Sequence, residues 1–356
     1  MRRFISVAAF TFLTSTILVM ASERAYWYWT GISVDSVLFI SVFYLLPAMA
    51  GLWTLALTPA RRLHQVLLAG AMFAIVVEGV LTPVIYLDGP LPVMAFMFMG
   101  WHGLVAFGGF WYLARRLLVE GRRLALALAS AAFGSFWGVW ALAAAIGDPA
   151  DEEGILDGLD PTVLDPVGFA RYAFAVGAVL AITHWLLGFV WPRGWRPSPR
   201  STRSVWFACG AYMSVAVVPV LFWAPLKLAV MIGGTWWLLR RSRRGVATAE
   251  PTVLDSLSGP VSPLSVLPIL TMPAVAALTY WVGWGLSLSE GGLSGIYGAL
   301  VGLQVIAGGA AFVWAARRAI QVPEWVSSLP APPPLPRAPS TSRCFARLAR
   351  GIGNSA

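Results

Sequence analysis

Long apolar stretches recur along most of the chain and constrain its fold more than any other feature. Of the 356 residues, 58% are hydrophobic and 12% are charged, about half the charged fraction of soluble domains. A soluble fold of this length could not cover so much apolar surface with polar groups. The sequence therefore predicts an all-α, polytopic integral membrane bundle whose main partner is the lipid bilayer.

A transmembrane helix needs about 20 apolar residues, and this length divides the chain into about ten predicted spans. They are Phe4–Ala21, Ser36–Leu57, Val66–Leu87, Leu91–Leu113, Leu124–Ile146, Tyr172–Val190, Val205–Trp223, Leu226–Leu239, Leu264–Leu286 and Leu293–Ala316.

Arginine clusters between these spans predict the orientation of the bundle. They all precede the first span or follow an even-numbered one, and they are Arg2 and Arg3, Arg61 and Arg62, Arg115, Arg116, Arg122 and Arg123, Arg193, Arg196, Arg200 and Arg203, Arg240, Arg241, Arg243 and Arg244, and Arg317 and Arg318. The positive-inside rule places that side in the cytoplasm. We therefore expect a cell membrane, such as a bacterial inner membrane, with both termini of the chain on its cytoplasmic side. No continuous basic patch of the kind that binds nucleic acid is formed.

The predicted bundle covers residues 1–321. It includes an acidic external connection at 147–170, which matches a calcium-binding loop poorly, and a cytoplasmic loop at 245–263. Residues 322–356 form a proline-rich, basic tail whose composition favours disorder.

Two points of topology stay open at this level. The stretch Val205–Leu239 either crosses twice, with Pro225 at the turn, or forms a re-entrant hairpin buried against protein. The first span has the basic start and apolar core of a signal peptide, but no clean A-x-A cleavage site follows it.

Few ionisable side chains lie at bilayer depth, where they are costly and therefore mark candidate functional sites. They are Glu78, His102 and His184, joined by the neutral Gln304. With a rise of about 1.5 Å per residue, Glu78 lies roughly 13 Å and His102 roughly 16 Å from the external ends of their spans. The short turn at Asp88–Pro90 makes these spans antiparallel neighbours. We expect a carboxylate–imidazole pair near the midplane that relays a proton, holds a cation or binds a polar ligand.

Thr82 and Pro83 follow Glu78 within about one helical turn. Proline lacks an N–H, so the Gly79 carbonyl is free for Thr82, water or a ligand, and we include Thr82 among the binding candidates. The alternative interpretation of the Glu78–His102 pair is a buried hydrogen bond that only fixes helix packing.

Cofactors receive little support from the sequence. Haem ligation by His102 and His184 would require matched depth, but the two differ by about 6 Å. The absence of an HExxH motif or a histidine cluster gives no basis for predicting a metal site. Lys227 is the sole lysine and is expected to snorkel to the external interface rather than to hold retinal.

Three functions fit these features. The first is a small-molecule or ion transporter that is coupled to protons at Glu78 and His102. Ten spans with both ends inside allow an inverted repeat of five spans plus five, a common transporter plan. The second is a membrane enzyme that uses Glu78 or His102 as a general base on a lipid or polyprenyl substrate, although no nucleophile or metal motif accompanies them. The third is a structural or assembly subunit. A polar cavity that reaches Glu78 from one side would favour transport. A lateral cleft open to lipid, with Glu78 or His102 at its mouth, would favour a lipid enzyme, and a packed bundle without a cavity would favour a structural role.

Overall fold

The computed structural model describes residues 2–25, 33–89, 91–147, 165–192, 194–216, 223–243, 251–286 and 290–321. Every regular element in these ranges is helical, which confirms the predicted all-α class. Most of the acidic connection, the start of the loop at 245–263 and the whole tail at 322–356 fall outside the described residues. The predictions about those segments stay predictions.

The helices follow one another in chain order and differ widely in length. They are α1 (Arg2–Val19), α2 (Val34–Phe43), α3 (Leu45–Leu57), α4 (Leu63–Val76), α5 (Val93–Phe98), α6 (Arg115–Val119), α7 (Arg123–Gly147), α8 (Pro166–Val190), α9 (Pro199–Ala216), α10 (Ala224–Arg241), α11 (Val253–Ser256), α12 (Pro263–Val266), α13 (Thr271–Gly285) and α14 (Glu290–Ile320). Three π-helical segments continue α1, continue α4 and join α5 to α6, and they are Met20–Arg24, Val77–Leu81 and Met99–Ala114.

Seven helical segments of the described residues are long and apolar enough to cross a membrane, as in a multi-pass membrane protein. The pair α2 and α3, bent by 51°, makes an eighth if it is one span. The predicted total of ten is not confirmed. Both α9 and α10 have 18 residues but are less apolar, since α9 starts among polar residues and α10 ends on Arg240 and Arg241.

The bend between α2 and α3 occurs at Tyr44, where the predicted second span was continuous. Pro47, in the first turn of α3, has no N–H to donate to the Phe43 carbonyl, which weakens the helix there. On the neighbouring helix α1, the Ser15 hydroxyl donates to the Ser41 carbonyl. The break therefore has a local cause, and it places the Tyr44 side chain beside α1.

The third and fourth predicted spans are antiparallel neighbours, as the sequence indicated. A Cβ atom on Gly70 of α4 would come within 2.6 Å of the Gly103 carbonyl oxygen. Further toward the start of α4, the Leu67 side chain lies against Gly108. Glycines on both helices allow this close approach of the two backbones.

Helices α7 and α13 also pack closely, and they run parallel. Gly134 lies against Met272, and Gly138, one turn later, lies against Ala276. Because the contact moves toward the C-terminus on both helices, α7 and α13 run in the same direction. Such parallelism is expected of the fifth and ninth predicted spans, which both have odd numbers.

Several arginine clusters lie at one end of the bundle. Leu68 of α4 packs with Leu239 of α10 and Ala319 of α14. Nearby, Gln65 Nε2 donates to the carbonyl and hydroxyl oxygens of Ser242, at 3.2 and 3.0 Å. These contacts bring together the ends that carry Arg61 and Arg62, Arg240 and Arg241, and Arg317 and Arg318. The assignment of this end to the cytoplasm remains a prediction from the positive-inside rule.

Lys227 ties the start of α10 to the turn between α4 and α5. Its ammonium lies 2.7 Å from the Asp88 carboxylate and donates to the carbonyls of Ile85, Gly89 and Leu91 at 2.5–2.8 Å. The side chain is 8% exposed. It therefore does not extend into solvent as expected from snorkelling, because the turn supplies enough oxygens to replace water around the charge.

Candidate functional site

Glu78 and His102 are in direct contact. Glu78 Oε1 lies 2.7 Å from His102 Nε2, and the two side chains are 8% and 3% exposed. Their helices approach at Gly70 and Gly103, one residue from His102. The sequence anticipated this juxtaposition from depth and from the short turn, whereas its role in binding stays a prediction.

A second carboxylate, Glu23, also reaches His102 and was not predicted. Its Oε1 atom lies 3.9 Å from His102 Nε2, and the Tyr44 hydroxyl donates a hydrogen bond to it. The predicted first span ended at Ala21, but the helix continues to Arg24 in a π-helical turn. A span of about 20 residues counted from Phe4 would have included Glu23, so the signal was present in the sequence.

Two indole hydrogen bonds hold α1 in the position that presents Glu23. Trp101 Nε1 donates to the Ser22 carbonyl at 3.1 Å, and Trp111 Nε1 donates to Thr14 Oγ1 at 3.2 Å. Trp101 and Ser22 each directly adjoin a site residue in the chain. Both anchors are buried, so they fix the height of α1 against the helix that carries His102.

Thr82 and Tyr86 complete the hydrogen bonding around Glu78. Thr82 Oγ1 donates to Glu78 Oε2 at 2.8 Å, so this predicted candidate does lie in the site. The Tyr86 hydroxyl donates to the Gly79 carbonyl at 2.8 Å. The carbonyl that was expected to be available to a ligand is therefore satisfied by Tyr86. We refer to Glu23, Tyr44, Glu78, Thr82 and His102 as the carboxylate–histidine cluster.

All three ionisable members at the centre of the cluster lie in π-helical segments. Glu23 is in Met20–Arg24, Glu78 in Val77–Leu81 and His102 in Met99–Ala114. These are the π-helical segments of the described residues. A π-helix is less well packed than an α-helix, and such segments occur frequently at functional sites. Their convergence distinguishes this cluster from an ordinary hydrogen bond between helices.

The His102 ring is flanked by aromatic rings. The Phe98 ring is stacked at a centroid distance of 6.0 Å and the Phe73 ring is edge-on at 6.1 Å. Nδ1 of His102 is buried and has no hydrogen-bond partner among the described residues. A neutral imidazole with its proton on Nε2, donated to Glu78, fits these surroundings, because the apolar side then faces only a lone pair.

A cavity of about 640 Å³ reaches the cluster. Glu23, Glu78, Tyr44 and Thr82 line it together with Arg24. The other described residues of the wall are apolar apart from one serine, and they are Ser36, Phe39, Ile40, Phe43, Val77, Leu81, Val84 and Phe98.

The cavity reaches the outer surface of the bundle on the side of α2. Phe39 and Phe43 line it and are 64% and 49% exposed. Large apolar side chains on the outside of a membrane bundle face lipid. The cavity is therefore neither a polar channel nor a packed interior, but a largely apolar, lateral cleft with charged groups along part of its wall.

Glu23, Glu78 and His102 offer three potential metal ligands whose donor atoms all lie within 4.8 Å of one another. Carboxylate and imidazole ligands suit several divalent metals. The sequence gave no motif for such a site because the three residues come from distant helices. The nearby oxygens already accept hydrogen bonds from Tyr44 and Thr82, so the geometry describes a hydrogen-bonded cluster more completely than a metal centre.

His184 is not part of the carboxylate–histidine cluster, and Gln304 lies on the neighbouring helix α14. The backbone carbonyl of His184 accepts from Arg115 Nη1 at 2.9 Å, further along the helix than His102. The two histidines are not brought face to face, so the haem hypothesis gains no support from the geometry. Gln304 is buried, and its backbone lies against Gly100 in the contact of α14 with the fourth predicted span.

Comparison with known proteins adds no family to this description. No protein-family model matches the chain, and no curated protein or solved structure matches it. The function must therefore be argued from the chemistry of the carboxylate–histidine cluster and its cavity.

Proposed function

We propose that this protein is a proton-coupled transporter of a small molecule, which binds in the cavity beside the carboxylate–histidine cluster. The observation that carries the proposal is the buried Glu78–His102 pair, 2.7 Å apart, at a cavity of about 640 Å³. That volume is within the range of small-molecule sites. Phe39 is 64% exposed but the Glu78 side chain only 8%, so the carboxylate lies deep in the cavity rather than at its lateral mouth, where a lipid enzyme would present it.

Proton coupling follows from the charges around the cavity. Two carboxylates and one guanidinium line the described part of the cavity, so the uptake of one proton balances its acidic and basic groups. A charge change in surroundings of low dielectric has a large effect on the affinity for a second ligand. Proton binding and substrate binding are thus thermodynamically linked, and each alters the other to the same extent.

The orientation and the membrane are also part of the proposal. We place the arginine-rich end in the cytoplasm of a cell membrane, with both termini on that side. Asp88 and Lys227 then mark the external end. Glu23 and Glu78 lie in the π-helical turns that continue α1 and α4 toward this end, so in this orientation the cavity lies on the external side of the site.

Substitution Glu78→Gln tests transport directly. The protein is reconstituted in liposomes that contain a pH-sensitive dye, and solutes of different classes are added under an imposed pH gradient. We expect one class to dissipate the gradient with the wild-type protein, and Glu78→Gln to slow this by at least about tenfold, because the amide removes the titratable carboxylate while preserving shape.

The matched control is Glu120→Gln, which changes a carboxylate paired with Arg116 on the surface. It is expected to retain wild-type flux, since exposed ion pairs contribute little. Wild-type flux in folded Glu78→Gln protein would contradict the proposal, as would the failure of every solute class with the wild-type protein.

The lateral opening beside Phe39 and Phe43 favours a second candidate, a membrane enzyme acting on a lipid or polyprenyl substrate. Here Glu78 or His102 would transfer a proton to or from the substrate as a general acid or base. Purified protein would be incubated with membrane lipids in deuterated water, and the lipids analysed by mass spectrometry. Deuterium incorporation that depends on wild-type protein and is absent with Glu78→Gln would support this candidate. Unchanged lipids would remove it.

A further inference from the structure

We propose that the substrate is a lipophilic organic cation, bound with its positive charge near Glu23 and Glu78 and its apolar body between the phenylalanines of the cavity. This inference rests on the proposed transport function and names its substrate class. It is drawn from three features of the cavity, which are the balance of charges, the aromatic wall and the size.

The charge balance favours a cation. Among the described residues, two carboxylates, Glu23 and Glu78, and one guanidinium, Arg24, line the cavity. Two negative groups against one positive group leave an excess negative charge when His102 is neutral. An anion would meet net repulsion in a site where the apolar wall screens charges poorly.

The wall suits the body of an organic cation. Phe39, Phe43 and Phe98 line the cavity with Tyr44, and the Phe39 and Phe43 rings lie 5.1 Å apart between centroids at a 52° angle. Aromatic faces attract cations within about 6 Å of the ring centroid. They also bury apolar groups, so one surface can hold both parts of an amphiphilic cation.

The size and lining argue against a bare metal ion as the substrate. A cavity of about 640 Å³ is far larger than an ion requires, and its apolar wall offers few oxygens to replace a hydration shell. Tyr44 and Thr82 already donate to the two carboxylates. An amphiphilic cation needs only electrostatic attraction from the carboxylates, so their hydrogen bonds with Tyr44 and Thr82 do not have to break.

The lateral position of the cavity provides a route for such a molecule. A lipophilic cation partitions into the bilayer and can reach the exposed Phe39 and Phe43 from the lipid phase. A proton taken up by the carboxylate–histidine cluster cancels the same negative charge that attracts the cation. The cation and the proton therefore compete, which is the exchange that a proton-coupled transporter requires.

Tetraphenylphosphonium and tetraphenylborate provide a matched pair of probes, because they share shape and apolar surface but carry opposite charges. Equilibrium dialysis of each labelled ion against the purified full-length protein in detergent measures binding. We expect saturable binding of tetraphenylphosphonium, because acidic groups outnumber basic groups in the described lining of the cavity. Tetraphenylborate is expected not to bind at this site.

Glu23→Gln should weaken tetraphenylphosphonium binding by at least about tenfold, since it removes one of the two charges that attract the cation. Phe39→Ala should weaken it several-fold through loss of an aromatic face, and it serves as the test if Glu23→Gln does not fold. Glu120→Gln, on the surface, should leave it unchanged. Tetraphenylborate binding as tight as that of the cation, or wild-type affinity in both site variants, would overturn the inference.

Two further outcomes separate this inference from the proposed function. Specific tetraphenylphosphonium binding without flux under a pH gradient would retain the cation site and reject transport. Flux of a different solute class that is lost in Glu78→Gln would retain transport and reject the cation as substrate.

Saturable Mn²⁺ or Zn²⁺ binding that is lost in both Glu23→Gln and Glu78→Gln, with no binding of the organic cation, would replace this site by a metal site.

Discussion

Substitution of Arg115 by methionine is expected to destabilise the protein by about 3 kcal/mol, since it leaves buried backbone acceptors without their charged donor. The guanidinium is completely buried. It donates to the carbonyls of Leu257 at 3.2 Å and His184 at 2.9 Å, and also to that of Gly259. The Trp191 ring lies 5.3 Å from its central carbon. Methionine keeps much of the side-chain length but provides no N–H group.

The adjacent Arg116→Met is the matched control. Arg116 is 52% exposed and pairs with Glu120 on the surface at 2.7 Å. Its loss is expected to cost less than about 1 kcal/mol. Thermal unfolding of the two variants in the same detergent, followed by tryptophan fluorescence, should give a transition roughly 10 °C lower for Arg115→Met and close to wild type for Arg116→Met. Equal transitions would show that the buried network contributes little.

Arg115 illustrates a limit of sequence interpretation. In the sequence it is one of a cluster of four arginines that predict topology, and nothing distinguishes it from Arg116. The difference arises because the segment after residue 251 folds back over the bundle, where Leu254 and Leu257 are buried. The Val253 amide donates to the Ala60 carbonyl at 2.7 Å. These contacts join residues far apart in the chain, and a hydropathy pattern holds no information about them.

The candidate site was partly accessible from sequence. Helical rise and the tight turn were sufficient to place Glu78 and His102 at one level, but not to establish that the two side chains touch. Rotation about each helix axis could not be derived, because the third predicted span is apolar around its whole circumference. Glu23 was missed because the first predicted span ended at Ala21, about one turn too early. Tyr44 was missed because its position depends on the bend between α2 and α3, which arises from Pro47 and from packing against α1.

The helix count shows a related difference. Long apolar spans such as α8 agree with the predicted segments within several residues, because length and hydropathy define them. The prediction that the two weakly apolar helices α9 and α10 both span the membrane depended instead on the arginine clusters on either side of them, which should lie on the same side of the membrane. Parity requires an even number of crossings but does not decide whether a short helix pair spans the bilayer or re-enters. Pro225 does lie in the first turn of α10, where a turn was predicted.

A second large effect is expected at the α7–α13 contact. Gly134 and Gly138 form a GxxxG pattern, typical of closely packed membrane helices. A Cβ atom on Gly138 would lie 2.8 Å from the Thr279 Cβ and 3.0 Å from the Tyr280 amide nitrogen, besides meeting the Ala276 carbonyl. Since a backbone cannot move aside as a flexible side chain can, Gly138→Ala should destabilise the protein by about 2 kcal/mol.

The same substitution at Gly233 of α10 should have the opposite sign. Gly233 is exposed and has no heavy atom within 4 Å of the added Cβ atom, so Gly233→Ala should be neutral or stabilising by up to about 1 kcal/mol through the lower chain entropy of the unfolded state. Thermal unfolding of both variants provides the comparison. Because helix propensity improves equally at the two sites, any difference measures the interhelical contact alone, and unfolding transitions that rise together would show that α7 and α13 are not packed backbone to backbone.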